Sequence, residues 1–505
     1  MLLFTTRTLT DCRWDIVGQW KRVTITVAAM VVAVLLTHTA YAQPKNVTSG
    51  ERPNIVIIMT DNHGAWTLGC YGNNEIRTPN IDRLAAQGTL FTHCFSSNSV
   101  CSPTRATFLT GLIPSQHGVH CWLHPGRLQM GAQAKNTIEE FRSLPEILSD
   151  AGYVCGLAGK WHLGANLHPQ DGFSYWVTKP QGGTRALYDD DVIEDGEVRI
   201  AEGYATDFWT DHGRRFMTMN RDRPFFLLLA YNGPYGLHVP MLSEARNRHA
   251  AYYADKELKS FPRLTMHPWL LNCKENFNNP VSIRRYAAEV SGIDDGVGEI
   301  MQTLQTLGLD ENTLVVFTAD QGLCGGHHGL WGMADHSRPL HTYDETIHVP
   351  LIVRHPGHIP SNRRLAMMTS NYDLFPTLLT YLGLAENIPT EPESPGRDFS
   401  PLLHGESIEW DDVVFYEFEN SRMIRTRDWK YTWRFPRGPN ELYHLAEDAG
   451  EERNLIDQPE YAVRQQQLRG RLDAFFDRYA DPKYDLAHGG DSKTLPFPTR
   501  VPVEN

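Results

Sequence analysis

Three separated runs of this chain are apolar at every position, and each stops abruptly at polar side chains. Ile55–Met59 runs into Thr60, Asp61 and Asn62; Phe225–Ala230 runs into Tyr231 and Asn232; Leu314–Phe317 runs into Thr318, Ala319, Asp320 and Gln321. A strand with one wet face alternates polar and apolar residues, so an uninterrupted apolar run asks for cover on both faces. That is the environment of an interior strand in a parallel sheet. Helical patterns lie between the runs: Thr78 to Gly88, Ser143 to Tyr153 and Ile283 to Leu307. Strands alternating with helices predict an α/β fold, a mostly parallel central sheet flanked by helices.

With 505 residues the chain has room for more than one unit. Four segments are expected: a leader at 1–42, a large α/β domain at 43–400, a small α+β subdomain at 401–482 and a tail at 483–505. The boundary near 400 follows a stretch rich in Pro, Glu and Ser, from about Ile388 to Glu409. Beyond it VVFYEFENSRMIRTRDWKYTWRF reads as short strands and Glu460–Tyr479 as a helix. The leader pairs Lys21 and Arg22 with the apolar run Val23–Leu36, then Ala40-Tyr41-Ala42 as a small-x-small cleavage pattern. Export to a periplasmic or extracellular space is therefore expected. The run is short for a span of roughly 20 residues, so no stable membrane span is expected after cleavage.

A net charge of −13 argues against a general nucleic-acid binder, whose footprint would be basic. Seven cysteines follow residue 42, an odd number with no CxxC pair, which removes a zinc ribbon and leaves a thiol to explain. Ligand sites in open α/β sheets lie beyond the carboxyl ends of strands. There Asp61 and Asn62 would meet Asp320 and Gln321, an all-oxygen donor set suited to a hard dication such as Ca²⁺, or Mg²⁺, and not to zinc.

SVCSPTRATFLTG, Ser99 to Gly111, sets Cys101 at the start of a helix with Pro103 in its first turn and Arg105 one turn on. Free N–H groups at a helix start favour negative charge, and an arginine fork suits a tetrahedral oxyanion. Local geometry alone leaves two readings open: a buried, satisfied thiol or a reactive group built to meet an anion.

CSPTR followed by ATFLTG resembles the C-x-P-x-R signature of the sulfatases, in the alkaline phosphatase superfamily. TDNHG, GKWHLG, TADQG, GHHGLWG, HVPLIVRHPG and RTRDWKYTW with ELYHL resemble further family segments in the expected order, from about residue 53 to about 455. The resemblance implies an alkaline phosphatase-like fold and a sulfuric ester hydrolase, with a sulfated carbohydrate or related sulfate ester as substrate. It implies that Cys101 is oxidised to formylglycine (3-oxoalanine) by a formylglycine-generating enzyme. One hydroxyl of the hydrated aldehyde would attack sulfur, and the other would help expel sulfate by regenerating the aldehyde.

Carried over by residue, Asp61, Asn62, Asp320, Gln321 and the oxygen on residue 101 would hold the cation. Arg105 would steady the nucleophile, and Lys160 and His162 would bind sulfate, His162 also aiding acid–base steps. Two positions depart from the family pattern. Tyr235 follows the proline where a leaving-group histidine is usual, so His238 is the candidate acid. Met333 stands where a sulfate-binding lysine is usual, with His336, His327 or His328 as replacements for its charge. The intact CSPTR favours sulfatase turnover over a phosphonate monoester hydrolase or phosphodiesterase of the same superfamily, and over a sugar-sulfate binder that has lost catalysis. Specificity is expected from Gln181–Gly203, Tyr235–Arg246 and Glu417–Arg422.

Overall fold

The computed structural model of the chain describes residues 52–124 and 126–494; the expected leader at 1–42 and the end of the expected tail lie outside them. Its strands are β1 (Asn54–Asp61), β2 (Thr89–Phe95), β3 (Val154–Gly159), β4 (Phe173–Val177), β5 (Tyr188–Glu194), β6 (Glu197–Tyr204), β7 (Phe225–Pro234), β8 (Thr313–Ala319), β9 (Cys324–Gly325), β10 (Trp331–Gly332), β11 (His348–Arg354), β12 (Arg363–Ser370), β13 (Val413–Phe418), β14 (Ser421–Thr426), β15 (Trp429–Arg434) and β16 (Glu441–His444). The longer helices are α1 (Pro79–Ala86), α2 (Cys101–Thr110), α3 (Leu144–Asp150), α4 (Ala205–Met219), α5 (Pro280–Thr306), α6 (Asn371–Tyr381) and α7 (Ala462–Tyr479).

The central sheet has the order β12-β2-β11-β8-β1-β7-β3-β4. β1 lies parallel to β7 and β8, β3 to β7 and β4, and β12 to β2, while β11 runs antiparallel to both its neighbours. The three apolar runs are thus β1, β7 and β8, side by side at the middle. Successive residues of β1 face opposite cores: Val56 and Ile58 pack with α4 and α5 residues such as Trp209, Ile293 and Val297. Ile55, Ile57 and Met59 pack with Phe108 of α2, Ile147 of α3 and Leu378 of α6. Burial on both faces is what the unbroken apolar pattern demanded.

β13 to β16 form a separate antiparallel meander. Leu468, Leu472 and Phe476 of α7 cover it against Ile424, Tyr431 and Leu442. This sheet also fixes the chain that leads into α2. Glu417 N–H donates to Ser97 O at 3.0 Å, Asn98 Nδ2 donates to Glu417 O at 2.6 Å, and Ser99 Oγ donates to Tyr416 Oη at 3.0 Å. Residues 483–494, the start of the expected tail, fold back onto the body. Thr494 Oγ1 accepts the N–H groups of His120 and Cys121, and Lys493 N–H donates to Gly118 O.

Glu417–Arg422, expected to shape specificity, is internal. Arg422 donates to Glu417 Oε1 at 2.9 Å and to Asp485 Oδ1 at 2.6 Å, its guanidinium 3.8 Å from the Phe476 ring centre. Arg422 pairs with Glu417 across the β13–β14 hairpin and with Asp485 from far along the chain. Arg422→Ala leaves buried Glu417 without its counter-charge and Asp485 with His488 alone, and is expected to cost about 3–5 kcal/mol, checked by urea unfolding. A change below about 1 kcal/mol would refute that role.

Several buried histidines carry a pH liability. Burial pushes His341 and His355 down to about 3 and His348 to about 4. Unfolded, these rings titrate near 6.5. As pH falls below 6.5 the unfolded chain takes up protons the folded chain refuses, at about 1.4 kcal/mol per pH unit for each ring. His328, raised by Glu345, has the opposite sign and contributes fully below 6.5. The carboxyls of Asp171, Glu289 and Asp294, pushed up to about 7 by burial, act in the opposite direction over the same range.

Candidate active site

The site lies at the carboxyl edge of the parallel strands. β1 delivers Asp61 and Asn62, β8 is followed by Asp320 and Gln321, β3 by Lys160 and His162, and β7 by Tyr235 and His238. α2 brings Cys101 as its first residue, with Arg105 one turn on. All ten residues of α2 are buried, so its position is set by packing on both sides. The turn out of β3 has a steric cause. Gly159 has φ 124°, and a Cβ there would stand 1.9 Å from Ala230 O, so only glycine lets the chain turn toward the site.

Two acids and two bases interlock around the thiol. Lys160 Nζ donates to Asp61 Oδ2 at 2.7 Å, and Arg105 donates through Nε and Nη2 to Asp320 Oδ2 at 3.1 and 2.8 Å. Arg105 Nη1 also donates to Lys160 O at 2.7 Å, tying the two pairs together. Asp320 Oδ1 accepts the N–H groups of Asn62 and Gln321 at 3.2 and 2.8 Å. Cys101 Sγ lies 3.3 Å from Asp61 Oδ1. Burial, and next Asp61, push the Cys101 thiol well above its ordinary value, so a thiolate nucleophile is disfavoured here.

Asp61, Asn62, Asp320 and Gln321 converge as a dication site requires. Gln321 Nε2 faces more acceptors than it has hydrogens: Asn62 Oδ1 at 2.5 Å, Asp61 Oδ1 at 3.5 Å, Cys101 Sγ at 3.2 Å and Met333 Sδ at 3.3 Å. Its Oε1 is buried with no partner. An excess of acceptors around one point, with an orphaned carbonyl oxygen beside it, fits a hard cation. Burial and then Asp61 raise Asp320 to about 6, a cost that a cation would relieve.

His162 Nε2 lies 3.2 Å from Leu123 O, which assigns the proton to Nε2 and leaves buried Nδ1 without a partner. Burial first, then Lys160, hold this ring well below 6.5 and hence neutral. Gly182 makes room for it, since a Cβ there would stand 1.8 Å from the ring.

A cavity of about 440 Å³ opens over these groups, lined among others by Cys101, Lys160, His162, Tyr235, His238 and His336. The Tyr235 ring centre is 6.0 Å from Lys160 Nζ. His327 packs against Trp66, and His328 stacks on Tyr343 and pairs with Glu345 at 2.9 Å; neither lines this cavity. His336 does, with its Nδ1 2.8 Å from Asp335 Oδ1. Residues not foreseen as site residues also line it, including Trp122, Asn272 and Asp335; Arg185 and Leu237 fall within the anticipated segments Gln181–Gly203 and Tyr235–Arg246. Asn272 comes from a long irregular segment without periodicity, so no sequence signal pointed to it. No disulfide joins any two of the seven cysteines among the described residues.

Residues 53–384 match the family model described as Sulfatase, and residues 329–477 match one described as N-sulphoglucosamine sulphohydrolase, C-terminal. The N-acetylglucosamine-6-O-sulfatase of Bacteroides thetaiotaomicron is 26% identical, the match covering 92% of this chain and 93% of that protein. The N-acetylgalactosamine-6-sulfatase of Rattus norvegicus is 31% identical over 74% of this chain and 70% of that protein. A solved protein in complex with its substrate D-glucosamine-2-N,6-O-disulfate shares the fold with a TM-score of 0.67 at 24% identity, covering 85% of this chain and 98% of that one.

Proposed function

Since the chain belongs to the sulfatase family and is a sulfuric ester hydrolase, we propose that Cys101 is the precursor of its nucleophile and that its substrate is a sulfated saccharide. The observation that carries the reading is the setting of Cys101: a thiol held protonated beside Asp61, Gln321, Lys160 and Arg105, among ligands that favour an oxygen. The family generally carries formylglycine and a divalent metal. In this chain residue 101 would be the formylglycine, installed by a formylglycine-generating enzyme. Ca²⁺ would be the metal, held by Asp61, Asn62, Asp320 and Gln321; the all-oxygen set and the buried, unpartnered Gln321 Oε1 support the choice.

Together these groups would supply an oxygen nucleophile of lowered pKa and neutralise charge on sulfate. Lys160 adds a cation beside the attacked group, and Arg105, locked to Asp320 and Lys160 O, keeps that charge in place without reorganisation. His162, neutral with Nδ1 open, accepts and returns a proton at that atom. The leaving oxygen requires a proton from the opposite side. Asp335, first among its partners, and Cys273 hold His336 protonated against the opposing effect of burial; its Nε2 is 3.4 Å from His238 Nε2. This pair stands in for the absent histidine and lysine. Tyr235 offers its ring to the sugar.

The relatives named for 6-sulfated N-acetylhexosamines make such a sugar the first substrate to test. Export after cleavage of 1–42, with a catalytic domain at 43–400, a subdomain at 401–482 and a tail at 483–505, completes the reading. No helix among the described residues is long and apolar enough to cross a membrane. Desulfation of defined sulfated saccharides should be assayed in parallel with an aryl sulfate and a phosphonate monoester. Release of sulfate from a saccharide at the highest kcat/KM is expected, and a large preference for the phosphonate would overturn the substrate assignment.

A further inference from the structure

We propose that His238, Cys273 and His336 form a second metal site, specific for a borderline-soft dication of the zinc class, in the wall of the substrate cavity. The three side chains come from separate loops, after β7, within residues 254–279 and after β10, yet one ligand atom from each lies within 4.8 Å of the others. A tetrahedral ion with bonds of about 2.05 Å to nitrogen and about 2.3 Å to sulfur requires N···N edges of about 3.3 Å and N···S edges of about 3.6 Å. His238 Nε2 lies 3.4 Å from His336 Nε2, and Cys273 Sγ lies 3.3 Å from His238 Nδ1 and 3.9 Å from its Nε2. The two Nε2 atoms therefore stand at one edge of such a sphere, and a turn of the exposed His238 ring, whose Nδ1 side now rests on the sulfur, brings the thiol to the others.

The surroundings follow the same logic. His336 Nδ1 lies 2.8 Å from Asp335 Oδ1 and faces the Met333 N–H at 3.3 Å, so a carboxylate stands behind the imidazole on the side away from His238. Asn276 Nδ2 fixes His238 by donating to its backbone oxygen at 3.1 Å. His238 and Cys273 both adopt left-handed backbone, φ 56° and 59°, a conformation costly for side chains of this kind and typical of functional sites. Nitrogen and sulfur ligands select against calcium, so this site and the all-oxygen site at Asp61 and Asp320 discriminate by chemistry. Three protein ligands leave a fourth position open toward the cavity, which His238 and His336 both line.

Such an ion occupies the ring nitrogens that otherwise carry the proton for the leaving oxygen, so zinc inhibits turnover. The site rests on its own ligands; only the inhibition rests on the proposed role of His238 and His336. The test is titration of the calcium-loaded, mature protein with Co²⁺, followed by absorption. Tetrahedral d–d bands and a near-ultraviolet thiolate-to-cobalt band, saturating together at one ion per chain, are expected. The thiolate band should vanish in Cys273→Ser, and cobalt affinity should fall about 10–100-fold in Asp335→Asn. A spectrum without a thiolate band in the wild type, or one that survives Cys273→Ser, would overturn the site. Zn²⁺ is expected to slow wild-type sulfate release, with the ratio of rates with and without zinc returning toward unity in Cys273→Ser. Cobalt binding of the expected kind without zinc inhibition supports the site and overturns the proton-donor role of the two histidines instead.

Discussion

Replacing Cys101 by alanine is expected to lower sulfate release by at least about 10⁴-fold while leaving the fold intact. The side chain sits at the first position of α2, where packing of the whole helix fixes the backbone. Deleting one buried sulfur removes contacts to Asp61 and Gln321 and costs on the order of 1 kcal/mol. Activity and stability should therefore separate. Cys101→Ser sharpens the point, since a single hydroxyl can attack sulfur but cannot expel sulfate by reforming an aldehyde. Its expected product is a stable sulfate ester on the protein, formed once per chain and seen by intact-protein mass spectrometry. Multiple turnovers by the serine variant at the wild-type rate would refute the geminal-diol logic.

Asp320→Asn is expected to have the second largest effect, and on two readouts. The carboxylate accepts both arms of Arg105 and two backbone N–H groups. The amide keeps its shape but leaves a buried guanidinium without a counter-charge, a loss of about 3–5 kcal/mol in calcium-free protein. It also removes one anionic ligand from the cation site. Wild-type protein should gain about 2.7 kcal/mol from calcium at 100 times the dissociation constant. Asp320→Asn should gain little at the same concentration, and its turnover should not recover. Thermal unfolding with and without calcium checks this, and an undiminished calcium response in the variant would exclude Asp320 from the cation site.

What the sequence made legible follows from where its chemistry is local. β1, β7 and β8 are unbroken apolar runs because both faces are buried, and their polar ends mark the sheet edge where the site stands. CSPTR and GKWHLG are short motifs whose members act within one turn or one strand end. The direction of β11 was not readable, since an apolar strand looks the same running either way. The β5–β6 hairpin is charged and largely exposed on one strand; only the turn at Asp195 and Gly196, with φ 52° and 78°, carried a local signal. The inward placement of Glu417 and Arg422 was not readable because Asp485, the second partner of Arg422, is far along the chain. Cys273 is the sharpest case: nothing around it in sequence marks it, and only the fold brings it to His238 and His336.

The central claim is that residue 101 acts as an oxygen nucleophile made from cysteine. Mass spectrometry of the peptide containing residue 101, on active protein from a host with the maturation enzyme, tests it most directly. The predicted result is a residue that has exchanged sulfur and two hydrogens for one oxygen, its fraction across preparations rising in proportion to kcat. An intact Cys101 thiol throughout a fully active preparation would contradict the account.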